Sequence, residues 1–157
     1  MKRNKGFTLI ELLIVVAIIG IIAAIAIPNL LNAVQRGKQK RTIGDMRSVA
    51  TAVESYAVDN NAYPLQTTIG SINGIGTFLE TTYIRKTPIN DGWNNAFQYI
   101  TDAQGQQYTL ASYGKNKASE AAVTGIACGT QTRKFENDIV FAVGQFCQQP
   151  EGSQNTN

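Results

Sequence analysis

Gly6-Phe7-Thr8-Leu9-Ile10-Glu11 opens the stretch that decides how this chain is built, and the apolar run over residues 12–27 completes it. Residues 7–27 number 21, and as a helix they extend about 32 Å, enough to cross the hydrocarbon core of a bilayer. One charge interrupts them. A carboxylate in hydrocarbon is costly unless it finds a partner, which makes Glu11 a candidate functional residue. A secretory signal carries its small-residue cleavage site after the apolar core. Here Gly6 precedes the run, although Ala23, Ala24 and Ala26 imitate such a site. The helical pattern also continues beyond Ile27 through Leu30, Leu31, Val34, Ile43, Met46, Ala50, Val53 and Ala57, and a cleaved signal has no need of an amphipathic continuation.

The spacing therefore predicts one helix over about residues 8–59, apolar on all sides in its first half and one-sided in its second. Met46, Val49, Ala50 and Val53 are expected to face inward. Pro28 removes a backbone hydrogen bond and crowds the preceding turn, so a kink or local melting is expected over residues 24–28. Gly20, Gly37 and Gly44 add soft points.

With 157 residues the chain has room for this segment and one domain with a modest core. The net charge of +3 comes from the leader: Lys2, Arg3 and Lys5 are set aside, and 11 basic residues face 11 acids. That balance argues against general nucleic-acid affinity and suits a protein that packs against copies of itself. Histidine is absent, which removes the commonest general base and zinc ligand. Cys128 and Cys147 are read as one disulfide in an oxidising compartment, worth roughly 3 kcal/mol on the chain-entropy estimate, with two buried thiols as the alternative.

Arg36, Lys38, Lys40 and Arg41 form a basic cluster soon after the apolar run. It confuses the positive-inside rule, because cations flank both ends; the leader charges lie nearer and are placed in the cytoplasm. A solvated helix face and contacts with acids of neighbouring subunits, such as Asp45 or Glu54, are the main readings of the cluster. DNA binding is the weaker one, since only Tyr56 offers an aromatic within reach.

From Asn60 the composition changes. Asn60-Asn61-Ala62-Tyr63-Pro64 ends the helix, and Gly70, Asn73, Gly74 and Gly76 read as turns, with a short helix or turn over residues 77–83. Strands are expected over residues 96–101, 107–113 and 139–146, the first two joined by Asp102-Ala103-Gln104-Gly105 as a hairpin. One face of the sheet would bury the second half of the helix, an α+β arrangement.

The string from Gly6 to Pro28 resembles the N-terminal signal and first helix of the type IV pilin and type II secretion pseudopilin superfamily. The resemblance implies a type IV pilin-like fold: a long N-terminal helix packed on a small antiparallel sheet, with a C-terminal disulfide loop between Cys128 and Cys147. It also implies cleavage by a prepilin peptidase between Gly6 and Phe7 and methylation of the new Phe7 amine. The chain then divides into a leader over 1–6, a membrane and assembly helix over 7–27, its continuation over 28–59, and a periplasmic or extracellular domain over 60–157. Glu11 matches the family's assembly acid, pairing with the Phe7 amine of a neighbour and setting axial register.

Farther on, Pro88-Ile89-Asn90-Asp91-Gly92-Trp93-Asn94-Asn95-Ala96-Phe97-Gln98-Tyr99 is similar to a stretch of major pseudopilins, as is Tyr108-Thr109-Leu110-Ala111-Ser112-Tyr113-Gly114. The family's calcium loop would follow, but Lys115-Asn116-Lys117 stands there, and two lysines repel a dication. Ser112, Asn116 and Glu120 remain as oxygen donors, and no metal or cofactor is expected. The cysteine pair resembles that of type IV pilins, with Arg133, Lys134, Glu136 and Asp138 between the two.

The resemblance implies a structural subunit of a type IV pilus, with a pseudopilin of a type II secretion system as the alternative. Its partners would be further copies in a homopolymer, the prepilin peptidase, an inner-membrane platform and ATPase, and the membrane before assembly; no specific nucleic acid is expected. A minor subunit at the filament tip shares the same leader. An anchored enzyme is disfavoured: Asp91, Asp102, Glu120, Glu136 and Asp138 are scattered acids without a nucleophile and base.

Overall fold

In the computed structural model, which describes residues 6–119 and 130–155, helix α1 spans Leu9–Asn60 without interruption. Pro28 lies inside it, so the local melting expected over residues 24–28 does not occur here. In the apolar first half Phe7, Ile10, Ile14, Ile18, Ile25 and Leu30 are exposed. The second half buries one stripe, with Met46, Val49, Ala50 and Val53 inward as their spacing predicts, joined by Gln39, Thr42 and Ala52. Contacts divide the chain after Val34, with the N-terminal helical segment as one unit and the remainder as another.

The helix ends where side-chain chemistry stops it. The Asn60 amide donates to the Tyr56 carbonyl at 2.9 Å, and Asn61 takes the left-handed conformation, φ 56°, a common device for closing a helix. After it come β1 (Gly70–Ser71), a 3-10 turn (Ile72–Ile75), α2 (Gly76–Leu79), β2 (Gln98–Thr101), β3 (Tyr108–Ser112), β4 (Thr130–Lys134), β5 (Ile139–Ala142) and β6 (Gln145–Asn155). Among the described residues these strands form one sheet in the order β1-β2-β3-β5-β6-β4.

The β2–β3 hairpin is antiparallel, as expected, with Tyr99 opposite Leu110. Its turn is closed by the Asp102 carboxylate, which accepts from the backbone N–H of Gln106 at 2.6 Å and of Gln107 at 3.2 Å. Two expectations fail. Residues 139–146 are not one strand but two, because Val143 (φ 41°) and Gly144 (φ 82°) reverse the chain and pair Phe141 with Phe146. Nor is the sheet purely antiparallel: β4 runs parallel to β6, since the β5–β6 hairpin returns the chain to lie beside a strand that precedes it. Cys147 is buried on β6, whereas Cys128 lies outside the described residues, and with it their pairing.

One core joins α1 to the sheet. Met46, Val49 and Val53 meet Ile72, Leu79, Phe97, Tyr99, Tyr108, Leu110 and Phe141. Two tyrosines bring a carboxylate into its edge: Glu54 accepts from the Tyr108 hydroxyl at 2.9 Å and the Tyr63 hydroxyl at 3.1 Å. Burial pushes the Tyr108 phenol well above its ordinary range, and the bond to Glu54 adds to the effect. Tyr99, also buried, is raised mainly by desolvation.

Candidate functional site

Gly6 and Phe7 precede the helix and are exposed, and nothing lies within 4 Å of a side chain built on Gly6. The Gly6–Phe7 bond thus lies in non-helical, open chain, the form in which a peptidase can take it. Thr8 follows as the N-cap. Its backbone N–H and its hydroxyl both donate to Glu11 Oε2 at 2.8 Å, while the Glu11 N–H donates to Thr8 Oγ1 at 3.3 Å. This is a capping box: a hydroxyl at the cap and an acid three residues on satisfy each other's orphan groups. The structure brings Phe7, Thr8 and Glu11 together within one helical turn. Sequence reasoning singled out Glu11 and passed over Thr8, although the Thr-x-x-Glu spacing was legible. Both hydrogen bonds fall on Oε2, which leaves Oε1 available to an outside donor.

Around and above this turn the helix surface is uniformly apolar and open, with Phe7 81% and Leu9 82% exposed. By length and composition α1 can cross a membrane. A surface of this kind is covered either by lipid or by other protein.

The second feature is the loop carrying Asp91-Gly92-Trp93, which fastens the sheet side of the domain to α1. The Asp91 carboxylate accepts from the N–H of Trp93 at 2.9 Å and of Asn95 at 2.8 Å, and from the Ser112 hydroxyl at 2.7 Å. So braced, the loop lays Gly92 on the helix, where its N–H donates to Thr42 Oγ1 at 2.9 Å. The Trp93 indole N–H donates to Gln35 Oε1 at 2.7 Å. A side chain on Gly92 would fall on the Lys38 carbonyl oxygen, with the carbonyl carbon 2.7 Å away, so glycine is required by contact with backbone.

Of the oxygen donors weighed for calcium, Ser112 is committed to Asp91 and the Asn116 side chain accepts from the Ala118 N–H at 3.1 Å. Glu120 lies outside the described residues. Asp91 and Asp102, considered for catalysis, are each spent on turn geometry. Arg36, Lys40 and Arg41 are exposed on α1, and Arg41 pairs with Asp45 at 3.3 Å.

Comparison with known proteins bears on both features. Residues 1–27 match the prokaryotic N-terminal methylation motif, and residues 29–126 match the family model described as type II secretion system (T2SS), protein G. Among curated relatives, a type II secretion system core protein G of Pseudomonas aeruginosa is 32% identical over 130 residues, covering 76% of this chain and 91% of the relative. The protein of that name from Vibrio cholerae is 33% identical over 110 residues, covering 64% and 73%. That of Klebsiella pneumoniae is 28% identical over 129 residues, covering 77% and 91%. These relatives correct the order of the expected functions, since they carry the secretion reading and not the surface pilus.

Proposed function

Because the chain belongs to the type II secretion system protein G family, within the type IV pilin superfamily, we propose that it is a pseudopilin, a structural and non-catalytic subunit of a periplasmic filament that drives protein export. The observation that carries this reading is the open apolar helix with Gly6-Phe7 exposed before it and Glu11 at its first turn. A prepilin peptidase removes residues 1–6 and methylates the Phe7 amine. The chain then waits in the inner membrane until a platform protein and an ATPase add it to the growing filament. Assembly replaces lipid by the helices of other copies, and the Glu11 carboxylate meets the Phe7 amine of a neighbour. The mutual attraction lowers the cost of burying both charges. Cys128 and Cys147 form a disulfide that staples the last strands, as the oxidising periplasm permits. No calcium is required, because two lysines occupy the loop that would hold it.

The test is expression of the full chain with its secretion machinery, followed by mass spectrometry of cross-linked or sheared polymers. The expected subunit begins at methylated Phe7 and, unreduced, is two hydrogens lighter than the dithiol. Glu11→Ala and Glu11→Gln are both expected to be cleaved yet left out of the polymer. Normal incorporation of Glu11→Gln would show that the carboxylate serves the helix cap alone, and an intact Met1 terminus in the polymer would refute the processing step.

A further inference from the structure

Of the basic cluster on α1, the contacts described so far use only Arg41, which pairs with Asp45. Arg36, Lys38, Lys40 and Arg41 lie within five helical steps, about 7.5 Å along the axis. At about 100° per residue they fall near 0°, 200°, 40° and 140° around it. The inward residues Gln39, Thr42, Met46, Val49, Ala50 and Val53 occupy roughly 220–320° on the same wheel. The four cations therefore form a collar over the whole solvent-facing arc at one height. A partner lying along the helix would be met by charges at i, i+4 and i+7 on one side. A collar at one height instead matches a charged plane crossed by the helix.

Charge and length point to the same partner. Between Glu11 and Arg36 no residue is charged, and exposed apolar side chains continue through Leu30, Leu31 and Val34. Residues 15–34 alone supply the roughly 20 residues that a bilayer core requires, which puts the collar directly at the polar layer beyond them. Beside it, Arg41 and Lys86 line a hollow of about 430 Å³ with Thr87, Asn90, Asn94 and Asp91. The buried Thr87 hydroxyl has no hydrogen-bond partner. The Asp91 oxygens in its wall are already occupied by Trp93, Asn95 and Ser112.

We infer that this collar, with Lys86, binds the phosphate headgroups of anionic lipid on the periplasmic face and sets the depth of the chain in the membrane before assembly. The inference rests on the membrane-resident stage proposed above. It has a consequence for Glu11: with residues 15–34 in hydrocarbon, Glu11 lies at the opposite interface and enters an apolar environment only when the subunit is extracted.

The single tryptophan reports on this directly, because Trp93 is bonded to Gln35, next to the collar. The full-length chain is reconstituted in phosphatidylcholine vesicles with and without phosphatidylglycerol, and Trp93 fluorescence is quenched by a headgroup spin-labelled lipid. Each cation contributes about fivefold to the docked over undocked ratio at an anionic surface. Quenching is thus expected to be stronger with phosphatidylglycerol, to weaken at high salt, and to lose most of its dependence on lipid charge when all four collar residues become Gln. The pair Arg36→Gln and Lys40→Gln, outside the hollow and the Trp93 loop, should remove about half of that dependence without disturbing the fold. Equal quenching in both vesicles overturns the inference. So does a collar variant that changes cross-linking between copies but not quenching, which would assign the cations to subunit contacts. If alkaline carbonate strips the wild-type chain from the vesicles, the membrane-resident stage fails too, whereas tight insertion with charge-independent quenching removes the collar alone.

Discussion

Replacing Gly92 by Ala tests how the domain is held to its helix. The added methyl would land on the Lys38 carbonyl group, whose carbon and Cα lie 2.7 and 2.9 Å from the ideal Cβ position. Those are helical backbone atoms and cannot swing aside, so the loop must lift. Overpacking of this kind costs about 1–3 kcal/mol. A lifted loop also gives up the bonds from Gly92 N–H to Thr42 and from Trp93 to Gln35, at about 1 kcal/mol each. The expected loss is about 3–5 kcal/mol. Urea unfolding of the full chain in detergent micelles, followed by Trp93 fluorescence, reads it as a lowered midpoint with unchanged slope. Gly76→Ala is the control, because nothing lies within 4 Å of its built Cβ, and it should not lower the midpoint. A Gly92→Ala chain as stable as its parent would refute the contact argument.

Stability should fall in alkali. Tyr99 and Tyr108 are buried and hold their protons to higher pH than the unfolded chain does. Their contribution is complete below the unfolded value near pH 10 and declines by about 1.4 kcal/mol per pH unit for each tyrosine above it; urea midpoints at pH 8–11.5 check this, and Tyr108→Phe should remove one tyrosine's share of the slope. Gly44 is helical with nothing within 4 Å of a built Cβ, so Gly44→Ala should stabilise the isolated chain by up to about 1 kcal/mol; thermal unfolding measures the gain, and a loss would show that the site is packed. Thr8→Val removes the cap hydroxyl at a cost of about 1 kcal/mol. Amide exchange at the first helical turn should then speed up about fivefold, with Thr8→Ser near wild type; unchanged exchange would mean that the cap does not persist in micelles.

The helix was legible because its signals are local and repeated: apolar residues at helical spacing, and Asn60-Asn61 as a stop. The β2–β3 hairpin was legible for the same reason, with Asp102 and Gly105 at the turn. The second hairpin was not. Type I′ turns favour Asn-Gly or Asp-Gly, and Val143 is a β-branched residue at positive φ, an uncommon choice that only the surrounding sheet enforces. The parallel pairing of β4 with β6 is a non-local contact between segments without a distinguishing pattern. Similarly, the docking of Asp91-Gly92-Trp93 on Gln35, Lys38 and Thr42 depends on residues 50 to 58 positions away.

Glu11 shows why a site can be named from sequence while its chemistry stays hidden. Read alone, it is one unexplained acid in an apolar run. The structure adds that the acid already has a partner within its own chain, since Thr8 supplies two donors to Oε2. A carboxylate so engaged carries less desolvation cost than a bare one. The cap does not compete with the proposed assembly contact. A carboxylate accepts on both oxygens, so the Phe7 amine of an incoming neighbour can approach Oε1 while Oε2 stays bonded to Thr8. The charge that the proposed pairing uses and the cap that orients it are therefore separate properties of one residue. Glu11→Gln divides them, because the amide oxygen can accept from Thr8 but cannot neutralise an amine.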